Sequence, residues 1–268
     1  MCFAQDNSKA ATFLPEGTLF HPLIFDPAES QYYGGYFLLN DSGNWNEEMY
    51  IPFTISLNRP AVRFTNENYE WEIGFEGTCF TQFNILNLGN GMALGTMLNA
   101  DYKGGIYVNG VKDIFSLRLR LFHISSHFAD DYILRDSISP RTTSELDYEQ
   151  ADFTFAVQKN EIRLYFGSGL VVSPHTVRKR FSLQTGGYYL KQFPNSEYFA
   201  FLTGADIKIY QQNNYRPNTK IGAGLEVGKS NRIPLHILFE YYNGHLPYST
   251  LEYKHVQWFG ISLSFRSH

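Results

Sequence analysis

His123 and Ser125 are the residues whose types and spacing could do chemistry. They lie in Arg118-Leu-Arg-Leu-Phe-His123-Ile-Ser125-Ser126-His127, which Asp130-Asp131 follows. On a β-strand, residues i and i+2 project side by side from one face. A serine there can act as a nucleophile whose proton passes to the neighbouring imidazole, the chemistry of acyl transfer. The plainer reading is structural. His and Ser also suit the layer where a strand leaves a membrane, and His123, Ser125 and His127 would then pin the loop that follows.

Two other clusters carry charge. His127 with Asp130 and Asp131 offers ligands to a cation such as calcium, against the plainer reading of an acidic, solvated loop turn. His123 and His127 share a face but lie about 13 Å apart along a strand, too far to clamp one metal. Arg178-Lys179-Arg180, near His175, could bind the phosphates of lipopolysaccharide, or could be an ordinary solvated loop. Phe20-His21-Pro22 and Phe25-Asp26-Pro27 read as turns. No glycine-rich phosphate loop or nucleotide fingerprint occurs.

The elements that must position these groups are strands. Twelve stretches read as long β-strands, and the gaps between them alternate. Long gaps fall near 40–50, 86–94, 127–149, 175–182, 212–217 and 246–254, and short ones near 66–68, 109–112, 159–160, 194–195 and 230–231. Tight turns at one end and wide loops at the other are the signature of an antiparallel barrel in a bacterial outer membrane. The expected fold is therefore all-β: a twelve-stranded antiparallel up-and-down transmembrane β-barrel over residues 31–268, with short periplasmic turns and long outer loops. Residues 1–30, with Pro15, Pro22 and Pro27, read as an extended periplasmic segment that packs on the barrel mouth, plugs the barrel or hangs free, alternatives the sequence leaves open. Met1-Cys2-Phe3-Ala4 has the look of a signal-peptide remnant.

Side-chain alternation sets the two faces. Phe115, Leu117, Leu119 and Leu121 oppose Ser116, Arg118 and Arg120. Ile162, Leu164 and Phe166 oppose Arg163, and Ile221, Leu225 and Ile237 share the apolar face against Glu226 and Glu240. His123 and Ser125 continue the apolar phase. Arg118, Arg120, Arg163, Glu226 and Glu240 are thus expected in a narrow lumen crowded with both signs of charge. A Lys or Arg turned to mid-bilayer lipid would cost roughly 2–4 kcal/mol, which fixes the register.

Composition agrees. Aromatic residues make up 17% of the 268 residues, an excess that suits two interfacial girdles. Mean hydropathy is only −0.29, as expected when half of each strand faces water. With 22 basic against 26 acidic residues there is no basic field, so nucleic acid is not an expected partner. Cys2 and Cys79 form neither a disulfide framework nor a metal spacing.

The stretch Arg118–His127, with Leu14-Pro15 and Phe20-His-Pro-Leu-Ile-Phe-Asp-Pro, resembles a family of bacterial outer-membrane β-barrels that has no established function. The last strand, with Phe259, Ile261, Leu263 and Phe265 alternating, looks like the signal read by the barrel-assembly machinery, although Arg266-Ser267-His268 follow it. His-x-Ser also resembles the dyad of outer-membrane phospholipase A and of outer-membrane lipid A deacylase. That resemblance implies catalytic groups on the outside of the barrel, facing lipid, with a third group from the start of the next strand. That strand is expected near 150–158, with Phe153, Phe155 and Val157 outward. Counting back in phase reaches Glu149, the expected third member, and then Asp147. Ser126 stands where both enzymes carry Asn.

Three functions remain open from the sequence. The first is an integral outer-membrane barrel of structural or small-solute role with a charge-filled lumen. The second is a serine acyl hydrolase of outer-membrane lipids or lipopolysaccharide, using Ser125, His123 and Glu149. The third is an adhesin or receptor built on the loop 127–149. No cofactor is required by any of them, calcium excepted.

Overall fold

A computed structural model describes residues 10–41, 44–90, 92–137, 146–174, 178–229 and 233–265. Their elements run β1 (Ala10–Phe13), β2 (Tyr32–Asp41), β3 (Asn44–Thr65), β4 (Glu70–Gly89), β5 (Met92–Lys112), β6 (Phe115–Phe128), helix α1 (Asp130–Arg135), β7 (Leu146–Lys159) and β8 (Ile162–Pro174). They continue through β9 (Phe181–Gln192), β10 (Phe199–Tyr210), β11 (Pro217–Val227), β12 (Leu235–His245) and β13 (His255–Phe265).

Each strand from β2 to β13 pairs antiparallel with its sequence neighbour. β13 then pairs with β2, from Val256↔Asp41 to Phe265↔Tyr32, and closes the cylinder. Closure removes every free edge from that part of the wall. The result is the expected twelve-stranded antiparallel barrel. The short β1 lies outside this count and pairs with the far end of β3, Ala10↔Thr65 to Phe13↔Val62.

Alternation works as the pattern demands. On β6, Phe115, Leu119 and Leu121 are exposed on the outer wall, while Ser116, Arg118, Arg120 and Phe122 are buried inside. On β8, Ile162, Leu164 and Phe166 point out and Arg163 and Tyr165 point in. On β13, Ile261, Leu263 and Phe265 point out against Ser262 and Ser264.

The connections differ from expectation at four places. β2 and β3 are separated only by residues 42–43, and β4 and β5 only by 90–91. The stretches near 40–50 and 86–94, rich in Asn, Gly and Glu, read as loops but continue as strand, held by ladder pairs such as Asn40↔Trp45 and Asn87↔Ala93. At the opposite rim, the connections over 193–198 and 228–234 are longer than the tight turns expected there. Met1–Ala4, His175 and Arg266-Ser267-His268 lie outside the described residues.

The lumen is filled by the chain's own N-terminal segment. Phe20, Leu23, Ile24 and Phe25 are all at most 2% exposed. Phe20 and Leu23 pack on Ala156 and Tyr165; Ile24 and Phe25 pack on Tyr188, Leu202 and Leu238. Of the three alternatives, the segment therefore enters the cylinder and shares its core. Gly204 and Gly222 make room for it. A Cβ at Gly204 would stand 2.5 Å from the Phe25 ring, and one at Gly222 2.9 Å from it. At the other rim, Leu246, Tyr248 and Leu251 of the β12–β13 connection are also buried, and Leu246 and Leu251 join Trp258, Tyr242 and Tyr50 in one cluster.

Candidate active site on the outer wall

β6 keeps its alternation to Phe128, so His123, Ser125 and His127 follow Leu119 and Leu121 on the outer wall. β7 starts earlier than expected, at Leu146. Its ladder with β6 sets His123 opposite Glu149 and Ser125 opposite Asp147. Directly opposed residues on one face bring their Cβ atoms within about 4.5–5.5 Å. The register alone therefore makes the His–Glu contact.

His123 Nδ1 lies 3.0 Å from Glu149 Oε1. A carboxylate only accepts, so Nδ1–H donates and Nε2 is left as an acceptor. Half of the His123 side chain, 49%, is exposed, with 37% for Glu149. Ser125 Oγ lies 2.7 Å from His127 Nε2. The expected partner was His123; the hydrogen bond is made to the histidine on the other side. The serine is thus flanked at i−2 and i+2 by two imidazoles, and the three side chains share one face. Tyr102 of β5 stands opposite Ser125 on the other flank, its ring 6.5 Å from that of His127. Asp147 Oδ1 is buried and has no hydrogen-bond partner among the described residues.

The arrangement can move a proton. In the tautomer of His127 that carries its proton on Nδ1, Ser125 Oγ–H donates to Nε2, which can take the proton and so activate the oxygen as a nucleophile. The His123–Glu149 pair beside it has the form of a base held in one tautomer by a carboxylate.

Asp130 and Asp131 do not join this group. They open α1 and are exposed, while His127 is engaged with Ser125. Among the described residues no set of three or more His, Cys, Asp or Glu side chains converges to hold a metal ion. Arg178 turns inward, pairs with Glu252 and lies over the Tyr148 and Tyr210 rings, whereas Lys179 and Arg180 are exposed.

The five expected lumen charges are all buried and all bonded. Both terminal nitrogens of Arg118 reach the Glu29 carboxylate, at 2.7 and 2.8 Å. Arg120 pairs with Asp152 at 3.0 Å and lies 3.8 Å from both Glu29 and Glu76. Arg163 bonds Gln158, Ser116 and the His21 carbonyl. Glu226 meets His236 at 3.1 Å, and Glu240 meets Lys220 at 3.0 Å and the Tyr33 hydroxyl at 2.7 Å. Asp26 meets Lys208 at 3.3 Å.

Two features escaped the sequence reading. The acids Glu29 and Asp26 neutralise the wall from within; a signal existed, since neither Arg118 nor Arg120 had an assigned counter-charge. His127 as the partner of Ser125 was also legible in principle, because i+2 is as close as i−2 on a strand.

A family model described as "Protein of unknown function (DUF1207)" matches residues 1–267. The chain belongs to the DUF1207 family. Among curated proteins none matches it. Among solved structures, this DUF1207 chain is similar to the Salmonella typhi outer membrane phospholipase dimer with bound calcium. The TM-score is 0.57 at 11% identity, over 90% of this chain and 94% of that one. The outer membrane phospholipase A of Escherichia coli gives 0.55 at 11% identity, over 89% and 90%. At such identity the likeness shows the fold, that of bacterial outer-membrane barrels, and nothing of the chemistry.

Proposed function

We propose that this DUF1207 protein is an outer-membrane acyl hydrolase that cleaves ester lipids at Ser125, from the outside of its wall. The observation that carries this reading is the 2.7 Å hydrogen bond between Ser125 Oγ and His127 Nε2 on the face that continues Leu119 and Leu121. A serine activated on that face meets acyl chains without lifting them into water.

In the proposed reaction, Ser125 Oγ attacks the ester carbonyl and its proton passes to His127 Nε2. The C–O bond to the leaving alcohol breaks, and the alkoxide takes that proton. Water then attacks the acyl-serine, giving up a proton to the imidazole, and the fatty acid leaves as Ser125 is restored. The His123–Glu149 pair carries compensating charge beside the imidazolium. The proposed partners are outer-membrane lipids on the wall and the barrel-assembly machinery through β13.

Fluorophosphonate labelling of the detergent-solubilised protein tests this. Label on Ser125, lost in Ser125→Ala, is expected. A wild-type barrel that shifts on heating in a gel yet takes no label ends the proposal.

The filled lumen favours a second reading, a barrel of purely structural role. Residues 20–31 occupy the space a solute would cross. That reading predicts no label and no single-channel conductance in planar bilayers.

A further inference from the structure

We propose that an oblique furrow below the serine is the subsite for one fatty acyl chain of a glycerophospholipid, and so sets the chain length the enzyme accepts. This deepens the reading just given and rests on it.

The furrow, about 730 Å³, crosses the outer wall from Ile73 on β4 to Phe181 on β9. It follows two rows of ladder partners. One is Ile106↔Leu121↔Ala151↔Leu170↔Phe181; the other is Val108↔Leu119↔Phe153↔Ser168↔Leu183. Its depth comes from residue size: Ala151 and Ser168 sit among Leu121, Phe153, Leu170 and Leu183, so the wall is low in the middle and high on both sides.

Its position ties it to the serine. Leu121↔Ala151 is the outward pair next below His123↔Glu149, which is next below Ser125↔Asp147. Successive outward positions lie about 7 Å apart. The edge of the furrow at Leu121 and Ala151 thus lies about 14 Å from Ser125, past the His123–Glu149 pair, within reach of the far half of a chain whose carbonyl rests at Ser125. The lining is almost wholly hydrocarbon and opens on the face that meets the bilayer, and the occupant that matches both properties is a lipid tail. Strands in such barrels tilt by roughly 35–45°. A furrow running across them is inclined as well, and a tail lying in it descends through the membrane.

Ser168→Phe tests the proposal. The residue is exposed mid-furrow, on β8, and belongs to neither imidazole pair. Phenylalanine there fills the furrow and stays compatible with lipid. The expected result is a fall of tenfold or more in release of palmitate from dipalmitoyl phosphatidylcholine in mixed micelles. Fluorophosphonate labelling of Ser125 and hydrolysis of 4-nitrophenyl acetate should stay within twofold of wild type. Loss of all three together, or of none, overturns the furrow as a chain subsite.

A second measurement separates this failure from failure of the hydrolase. Phosphatidylcholine carrying a diazirine in the far half of one chain, in vesicles, should crosslink to the peptides holding Leu121, Ala151 or Leu170, and less so in Ser168→Phe. Crosslinking there without any label on Ser125 retains the chain site and rejects catalysis. Crosslinking spread evenly around the wall rejects the chain site whatever the label does.

Discussion

Removing the Glu29 carboxylate should release the N-terminal segment from the lumen. Glu29 accepts both terminal N–H groups of Arg118 and lies 3.8 Å from Arg120; the three side chains are 0%, 4% and 3% exposed. Arg120 keeps Asp152 if Glu29 is lost. Among the described residues Arg118 keeps the face of Phe20, 4.4 Å away, a ring of the same segment, and a more distant attraction to Glu76, but makes no other side-chain hydrogen bond. Breaking a buried ion pair from one side costs about 3–5 kcal/mol, which is roughly two to three and a half powers of ten in an equilibrium. The cost falls on the docked state alone. Ser30, wholly buried and hydrogen-bonded to Glu76, reports it. With Cys2 and Cys79 replaced by serine, Ser30→Cys should react slowly with a charged maleimide, and adding Glu29→Ala should speed that reaction at least about 100-fold. Burial pushes Glu29 upward, but the guanidiniums of Arg118 and Arg120 outweigh it and hold the carboxyl well below the usual range. A depressed carboxylate stabilises fully above its free range and loses that contribution as pH falls. Divided by the rate of a free thiol at the same pH, which corrects for the thiolate fraction, labelling of the Ser30→Cys parent should thus stay flat between about pH 8 and pH 5 and rise only on stronger acidification, a limb absent from Glu29→Ala. Equal labelling rates in the two proteins would refute the claim that this ion pair holds the segment.

Other expectations follow from the same contacts. His127→Ala should cut fluorophosphonate labelling of Ser125 by about 100-fold or more, the scale of general-base catalysis, while His123→Ala should cut it less; the reverse order would make His123 the base. Gly204→Leu should push Phe25 out of its seat and raise the rate of Ser30→Cys labelling, with little change if the ring has another place to go. Leu119→Arg, on the outer wall, should cost roughly 2–4 kcal/mol, read as a lower midpoint in denaturant titrations of the heat-modifiable form. Lys220→Met should be strongly destabilising because it strands Glu240 in the lumen, and Tyr33→Phe should be milder, near the 1.5–3 kcal/mol of a hydrogen bond to a charged group; comparable midpoints would contradict the pairing.

The wall was legible because period-two alternation is a strong signal wherever one face is apolar and the other ionic. β6, β8, β12 and β13 could be assigned inward and outward faces from Arg118, Arg163, Glu240 and Ser262 alone. The extension of β2 to β5 toward 42–43 and 90–91 was not legible: residues beyond the apolar band are polar on both sides, so the pattern fades although the backbone ladder continues. Whether 20–31 docks in the barrel stayed open for a different reason. Its contacts with Tyr165, Leu202, Leu238 and Arg118 are distant in sequence and carry no local periodicity. At the site, phase placed His123, Ser125 and Glu149 on one face, and register joined His123 to Glu149. The choice between His123 and His127 is a matter of side-chain torsion, which spacing does not encode.

The docked segment has a consequence for how the molecule comes into being. Asp26 meets a lysine 182 positions later, and Tyr33 meets a glutamate 207 positions later. The segment precedes the strands in the chain, and part of its partner set, Lys208, Leu202 and Leu238, lies on β10 and β12. Contacts of such long span are slow to form. Until those late strands are in place, Asp26 lacks its lysine and Ile24 and Phe25 lack Leu202 and Leu238, although Phe20 and Leu23 can already meet Ala156 and Tyr165. Full seating of the segment therefore requires β10 and β12 as well as β6 to β8, and its longest-span contacts are expected to form last.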